Sequence, residues 1–149
     1  MGYADVRILD RVHWKGRNRN GGMDMEAYSH TGDTRVRIAA TVKQFDRPVQ
    51  MRYVDELRGT MLRVGARQGL IVSTSGFSPV AVEAARKCVI VPVRLLGGEE
   101  LLNLLITHQI GIIRGRSGQV QIDTAYFKML LALYPGQGRR RSANNKECQ

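Results

Sequence analysis

The chain has 149 residues, the size of one domain with room for one hydrophobic core. Its 43% hydrophobic and 24% charged residues are typical of a folded globular protein and exclude a disordered one. No run of 18 apolar residues occurs and the N-terminus lacks a signal-peptide core, so we expect a cytoplasmic protein with no membrane partner. The net charge of +10 indicates a polyanionic partner, usually nucleic acid, with a merely basic surface as the alternative.

The first third of the chain alternates apolar and polar residues with the period of a β-strand. We predict strands at 4–9, 23–28 and 35–45, separated by a basic loop rich in Gly and Asn and by the turn "SHTGDT". Three strands joined by short connections indicate an antiparallel meander at the N-terminus.

Beyond residue 50 the apolar residues of "MRYVDELRGTMLRVGA" recur at helical spacing. Strands at 69–75 and 89–96 then alternate with a helix capped by Ser78 and a helix beginning at "GGEELL". A meander that continues into crossover helices predicts an α/β sandwich around a mixed sheet, parallel in its second half.

The last part of the chain, residues 114–149, has a different character. The segment "RGRSGQ" indicates a loop, and "DTAYFKMLLALY" at 123–134 predicts a helix capped by Asp123. A basic tail that we expect to be disordered follows, so this part forms a C-terminal extension.

The strand "VRIAATVKQF" places a lysine, Lys43, on the same strand face as Ala39 and Thr41. If strands 23–28 and 35–45 pair as a hairpin, Asp24 and Lys43 meet at one end of the sheet. A carboxylate there can hold Mg²⁺, and a lysine can orient a water and stabilise charge on a phosphorane-like transition state. A surface ion pair is the alternative.

Five segments, in this order, resemble the Mrr-type restriction endonuclease domain of the PD-(D/E)xK nuclease superfamily. They are "GGMD", "VKQF", "VDELRGTML", "GLIVSTSGFSPVAVEAAR" and "VRLLGGEELLNLLITHQIGI". The family shows a glycine-rich turn with an aspartate, a strand ending Gln-x-Lys, and a "TTS-x-Phe" strand end that leads into a helix. The resemblance implies a restriction-endonuclease-like α/β/α sandwich over residues 1–113.

The resemblance also implies roles for individual residues. Asp24 matches the metal-binding aspartate, Lys43 matches the lysine of Gln-x-Lys, and the Val42 carbonyl matches a main-chain metal ligand. Thr41 falls where the family has Gln or Glu, and a hydroxyl is a weaker Mg²⁺ ligand than either. Glu26, on the same strand face as Asp24, is a candidate second carboxylate, with a solvent-facing side chain as the alternative.

The family usually begins with a helix that carries an acidic residue, and the sequence, which starts at Met1, lacks that helix. Either the domain is a truncated form, or the start codon lies upstream of this sequence. Basic and hydroxyl side chains are candidate contacts to phosphates. The predicted DNA-binding residues are Lys15, Arg17, Arg19, Arg47 and Ser75. A purely structural role at the strand end is the alternative for Ser75.

The resemblance implies a metal-dependent DNA endonuclease of the Mrr-like restriction class, which hydrolyses phosphodiester bonds with Mg²⁺ or with Mn²⁺ as a substitute. The departure at Thr41 and the missing helix keep open a degenerate DNA-binding module on the same fold. A nuclease directed at RNA or at a nucleic-acid structure is a third possibility, because charge does not distinguish DNA from RNA. Double-strand cutting in this superfamily usually needs two active sites, so we expect a homodimer.

Overall fold

The computed structural model describes residues 3–9, 22–88, 90–115 and 117–133. The chain divides into two compact units, Met1–Leu101 and Leu102–Gln149. In chain order the elements are β1 (Tyr3–Ile8), β2 (Met25–Thr31), β3 (Thr34–Lys43), α1 (Met51–Val64), β4 (Gln68–Ser73), α2 (Pro79–Lys87), β5 (Val93–Leu96), α3 (Gly98–Thr107), β6 (Ile112–Arg114), β7 (Val120–Ile122) and α4 (Thr124–Leu133).

Five strands of the first unit form one sheet in the order β1-β2-β3-β4-β5. The pairs β1–β2 and β2–β3 are antiparallel, whereas β3–β4 and β4–β5 are parallel. The predicted fold class, a mixed sheet with an antiparallel N-terminal meander and a parallel second half, is confirmed. Pro92 directly precedes β5, the last strand of this order, where its missing amide hydrogen costs no hydrogen bond within the sheet.

The hydrophobic core lies between one face of this sheet and the helices α1 and α2. Val54, Leu57 and Met61 recur on one side of α1 and are almost fully buried, together with Ile71 of β4. Both helix ends follow local rules. Gly65 has the positive φ of 71° that ends α1, and the Ser78 hydroxyl accepts a hydrogen bond from the Ala81 amide at the start of α2.

Gly69 of β4 faces this core at a point that has no room for a side chain. A Cβ atom at Gly69 would lie 2.7 Å from the Met61 Sδ and 3.1 Å from both Leu57 Cδ2 and Val93 Cγ2. We therefore expect Gly69→Ala to lower the free energy of unfolding by about 1–3 kcal/mol, measured by urea denaturation.

The matched control is Gly59→Ala, inside α1, where an added Cβ meets no atom within 4 Å among the neighbours that the structure describes. It should raise the free energy of unfolding by about 0.5–1 kcal/mol through helix propensity. Equal stability of the two variants would contradict this packing.

The second unit contains the antiparallel pair β6–β7 and the helix α4. The segment "RGRSGQ" connects the two strands, which the sequence pattern does not predict because each has only three residues. The Asp123 carboxylate accepts a hydrogen bond of 3.0 Å from the Tyr126 amide and so caps α4. No helix in the described ranges is long and apolar enough to cross a membrane.

Candidate active site

Asp24 directly precedes β2 and lies beside the end of β3. The pairing of Met25 with Ala40 continues to this position, because the Asp24 amide donates a 2.9 Å hydrogen bond to the Ala40 carbonyl. Its carboxylate oxygen Oδ2 accepts a 2.7 Å hydrogen bond from the Thr41 hydroxyl and a 2.8 Å bond from the Val42 amide. Two donors from β3 therefore fix the orientation of the Asp24 carboxylate.

The same geometry orients the Val42 carbonyl. Within a strand the amide and the carbonyl of one residue point to the same side, and the Val42 amide points to Asp24. The Val42 carbonyl oxygen therefore also faces this side of β3. A carboxylate, a hydroxyl and a main-chain carbonyl thus converge at one end of the sheet.

Lys43 is the last residue of β3 and lies on the same strand face as Thr41, two residues away. Its backbone carbonyl accepts a 3.2 Å hydrogen bond from the Thr74 amide, which ties the end of β3 to the end of β4. Its ammonium lies 5.2 Å from the centroid of the Tyr53 ring, within cation–π range. The antiparallel pairing of β2 with β3 therefore brings Asp24 and Lys43 to the same end of the sheet.

Glu26 lies on the same strand face as Asp24 but has a different environment. Its carboxylate is engaged by Arg37 at 2.6 Å and 3.2 Å, with Arg7 at 3.9 Å. Only 8% of the residue is exposed, so the alternative of a solvent-facing glutamate is wrong. The Arg37 guanidinium also donates to the carbonyl of Val64 at the end of α1, so this ion pair connects the sheet to the helix.

We expect Glu26→Gln to lower the free energy of unfolding by about 1–3 kcal/mol, because it leaves the Arg37 guanidinium without a charged acceptor. The matched control is Glu100→Gln, which removes a 2.6 Å ion pair with Arg94 whose side chains are both about half exposed. Its effect should stay below about 1 kcal/mol. Urea denaturation measures both. A higher Mg²⁺ requirement for cleavage in Glu26→Gln, with unchanged stability, would instead identify Glu26 as a metal ligand.

The structure describes two of the five predicted DNA-binding residues, Arg47 and Ser75. Lys15, Arg17 and Arg19 lie outside the described residues. Arg47 is exposed four residues beyond Lys43. The Ser75 hydroxyl forms hydrogen bonds within the protein, at 3.0 Å to both the Arg47 carbonyl and the Ser73 hydroxyl. These bonds favour the structural alternative for Ser75.

Sequence reasoning missed Tyr53 and Arg52, the neighbours of Lys43 on α1. Helical spacing identifies Tyr53 only as one of the apolar positions of this helix. In the structure the centroid of its ring lies 5.2 Å from the Lys43 ammonium and 4.7 Å from the Arg52 guanidinium. Position in the sequence could have identified both residues. They lie in the first turn of α1, which follows the strand that ends at Lys43 after a short connection.

The oxygen donors at Asp24 suit a hard cation. Within the described ranges no three His, Cys, Asp or Glu side chains come close enough to hold a metal. Mg²⁺, however, keeps several water ligands and often uses only one or two carboxylates. The oxygen atoms of the Asp24 carboxylate, the Val42 carbonyl and the Thr41 hydroxyl therefore fit a divalent cation that would take its remaining ligands from water.

The five-stranded mixed sheet thus carries an aspartate and a lysine at the ends of two paired strands. The chain matches the family model of the Mrr_cat restriction endonucleases over residues 1–105 and belongs to this family. The predicted family is therefore confirmed. Domains of this family generally use divalent metal ions.

Among solved structures, the "DNA modification-dependent restriction endonuclease AspBHI" has a similar fold, with a TM-score of 0.56 and 20% sequence identity. The match covers 70% of this chain and 26% of that chain. The present chain therefore spans about a quarter of AspBHI. No curated protein matches the sequence.

Proposed function

We propose that this protein is a Mg²⁺-dependent DNA endonuclease of the Mrr-like restriction class, with Mn²⁺ as a substitute ion. The observation that carries the proposal is the Asp24 carboxylate, held by Thr41 and Val42 at the strand end where Lys43 also lies. Family membership supports the same activity. A DNA substrate, a homodimer with two sites and a cytoplasmic location belong to this proposal.

In the proposed reaction the Asp24 carboxylate and the Val42 carbonyl would hold the cation, which when bound would supply Lewis-acid chemistry at the scissile phosphate. The Lys43 ammonium donates a hydrogen bond to the attacking water or to a phosphate oxygen and offsets the negative charge that develops there. The Thr41 hydroxyl keeps the carboxylate in one orientation. The water forms a bond to phosphorus and loses a proton to solvent, while the bond from phosphorus to one ester oxygen breaks. That oxygen takes up a proton from solvent, which leaves one phosphate end and one hydroxyl end.

A DNA-binding domain that no longer cuts is the second candidate function. One observation favours it: the Thr41 hydroxyl donates to the same Asp24 oxygen as the Val42 amide, where the family usually has the oxygen of Gln or Glu. Fewer strong oxygen donors mean a weaker metal site. Under this alternative, binding to DNA persists and hydrolysis does not.

Cleavage of plasmid DNA by the purified protein distinguishes the two. Methylated and unmethylated plasmids are incubated in Mg²⁺, in Mn²⁺ and in EDTA, because the name of AspBHI describes an enzyme that depends on DNA modification. We expect wild-type protein to convert supercoiled plasmid to cut forms only with a divalent ion. Asp24→Asn should abolish the conversion.

The outcome that contradicts nuclease function is an intact plasmid with either metal and either plasmid, while salt-sensitive DNA binding is retained. That result would establish the non-cutting domain. Cleavage of an RNA in place of DNA would identify the other nuclease class.

A further inference from the structure

A cavity of about 460 Å³, here called the α1 cavity, opens between the end of β3 and the first turn of α1. Its principal lining residues are Phe45, Arg47, Gln50, Met51, Arg52 and Tyr53. The Tyr53 ring that lines the cavity is also the ring over which the Lys43 ammonium lies. The cavity is therefore immediately beside the candidate active site.

The charge around this cavity is positive. The segment from Lys43 to Tyr53 contains three cations, Lys43, Arg47 and Arg52, and a single carboxylate, Asp46. Both arginines are exposed, so their guanidinium groups are accessible to a partner. Guanidinium groups bind phosphate oxygens in a bidentate geometry, which makes a polyanion the complementary ligand.

Part of the lining of the α1 cavity is aromatic and apolar. The Phe45 and Tyr53 rings lie 5.3 Å apart, and the Arg52 guanidinium covers Tyr53 and donates a 2.8 Å hydrogen bond to its hydroxyl. Met51 adds a side chain that is 43% exposed. Flat rings flanked by cations are the arrangement that binds single nucleotides of a strand, where a base stacks on the ring and phosphates bind the cations.

The shape of the cavity further restricts the ligand. The backbone of a regular duplex presents convex rows of phosphates. These phosphates would contact the two arginines but would leave the concave aromatic part of the cavity empty. A volume near 460 Å³ is within the range of pockets for small organic ligands, about 300–1,000 Å³. A single base that has left the stack is small enough to enter such a space.

We propose that the α1 cavity receives one unstacked base of the bound DNA, next to the scissile phosphate. Phe45 stacks on this base, while Arg47 and Arg52 bind the phosphates on either side of it. The location rests on the proposed function, because Lys43 marks the position of the scissile phosphate. Tyr53 connects the two sites, since its ring lies against both Lys43 and Arg52.

The first test measures DNA binding by the full chain in Ca²⁺, without cleavage, at several salt concentrations. The logarithm of the binding constant falls linearly with the logarithm of the salt concentration. The double variant Arg47→Gln/Arg52→Gln should make this negative slope shallower by about 0.9 for each phosphate that is no longer neutralised. The matched control Arg67→Gln/Arg86→Gln removes the same charge from two other exposed positions, beside the start of β4 and in the last turn of α2. Its slope should equal that of wild type.

The second test places 2-aminopurine at successive positions of the duplex. This base fluoresces weakly inside a stacked duplex, so wild-type protein should raise its fluorescence at one position. Phe45→Leu should abolish that increase while retaining the salt slope of wild type.

Equal slopes for the two double variants, or no fluorescence increase at any position, would overturn the proposal even if the protein cuts DNA. Conversely, the two double variants could differ in salt slope and the fluorescence increase could depend on Phe45, while no DNA is cleaved in Mg²⁺. That result would support base binding in the α1 cavity and refute the nuclease function. Failure of wild-type protein to bind DNA would overturn both.

Discussion

Lys43→Ala is expected to lower the rate of DNA cleavage by about 10²–10³-fold, the loss seen when one preorganised donor to a transition state is removed. The physical reason is that Lys43 ends β3 near Asp24, and in the proposed reaction its ammonium offsets the negative charge that develops on the phosphate. DNA affinity should change little, because one phosphate contact is a small part of the total. Single-turnover cleavage at saturating protein measures the rate, and a filter-binding assay in Ca²⁺ measures the affinity.

Two further lysine variants separate charge from position. Lys43→Arg keeps the positive charge but changes the donor geometry, and it should recover only part of the activity. Lys87→Ala removes an exposed lysine from α2, paired with Glu83 at 2.7 Å, and should cleave at the wild-type rate. Near-normal cleavage by Lys43→Ala would show that Lys43 takes no part in the chemistry.

Thr41→Gln is expected to lower the Mg²⁺ concentration for half-maximal cleavage by about tenfold, the scale on which single partners of a metal site change affinity. An amide oxygen is a better ligand for Mg²⁺ than a hydroxyl, and Gln restores the residue type that the family usually has. A Mg²⁺ titration of the cleavage rate measures the change. The site is tight, because Thr41 is only 2% exposed, so the larger side chain should cost about 1–3 kcal/mol of stability.

Thr41→Ser and Thr41→Val are the matched controls. Serine keeps the hydroxyl that donates to Asp24 and should retain the Mg²⁺ requirement of wild type. Valine keeps the shape but removes the donor, so the Asp24 carboxylate loses one of its two described hydrogen bonds from β3 and the requirement should rise. If Thr41→Gln and Thr41→Val have the same Mg²⁺ requirement as wild type, position 41 does not contribute to metal binding.

Much of the first unit follows from local sequence. The alternation through Val36 to Lys43 predicts β3 because side chains in a strand change face at every residue. Ser78 and Gly65 mark helix ends because capping hydrogen bonds and a positive φ depend only on neighbouring residues. The order of strands and helices predicts the mixed sheet, and the hairpin pairing of the second and third strands brings Asp24 and Lys43 to one end of it. The five motifs in order predict the family.

The environment of each site residue depends on tertiary structure. Glu26 and Asp24 share a strand face, yet Glu26 binds Arg37 whereas Asp24 accepts hydrogen bonds from Thr41 and Val42. Strand periodicity gives the face of a side chain, but its partner is set by the register of the next strand and by the reach of long side chains across it. Tyr53 lies beside Lys43 because the folded chain brings the first turn of α1 close to the end of β3. Hydrogen bonds and ring contacts of this kind join residues far apart in sequence, so only the folded chain determines them.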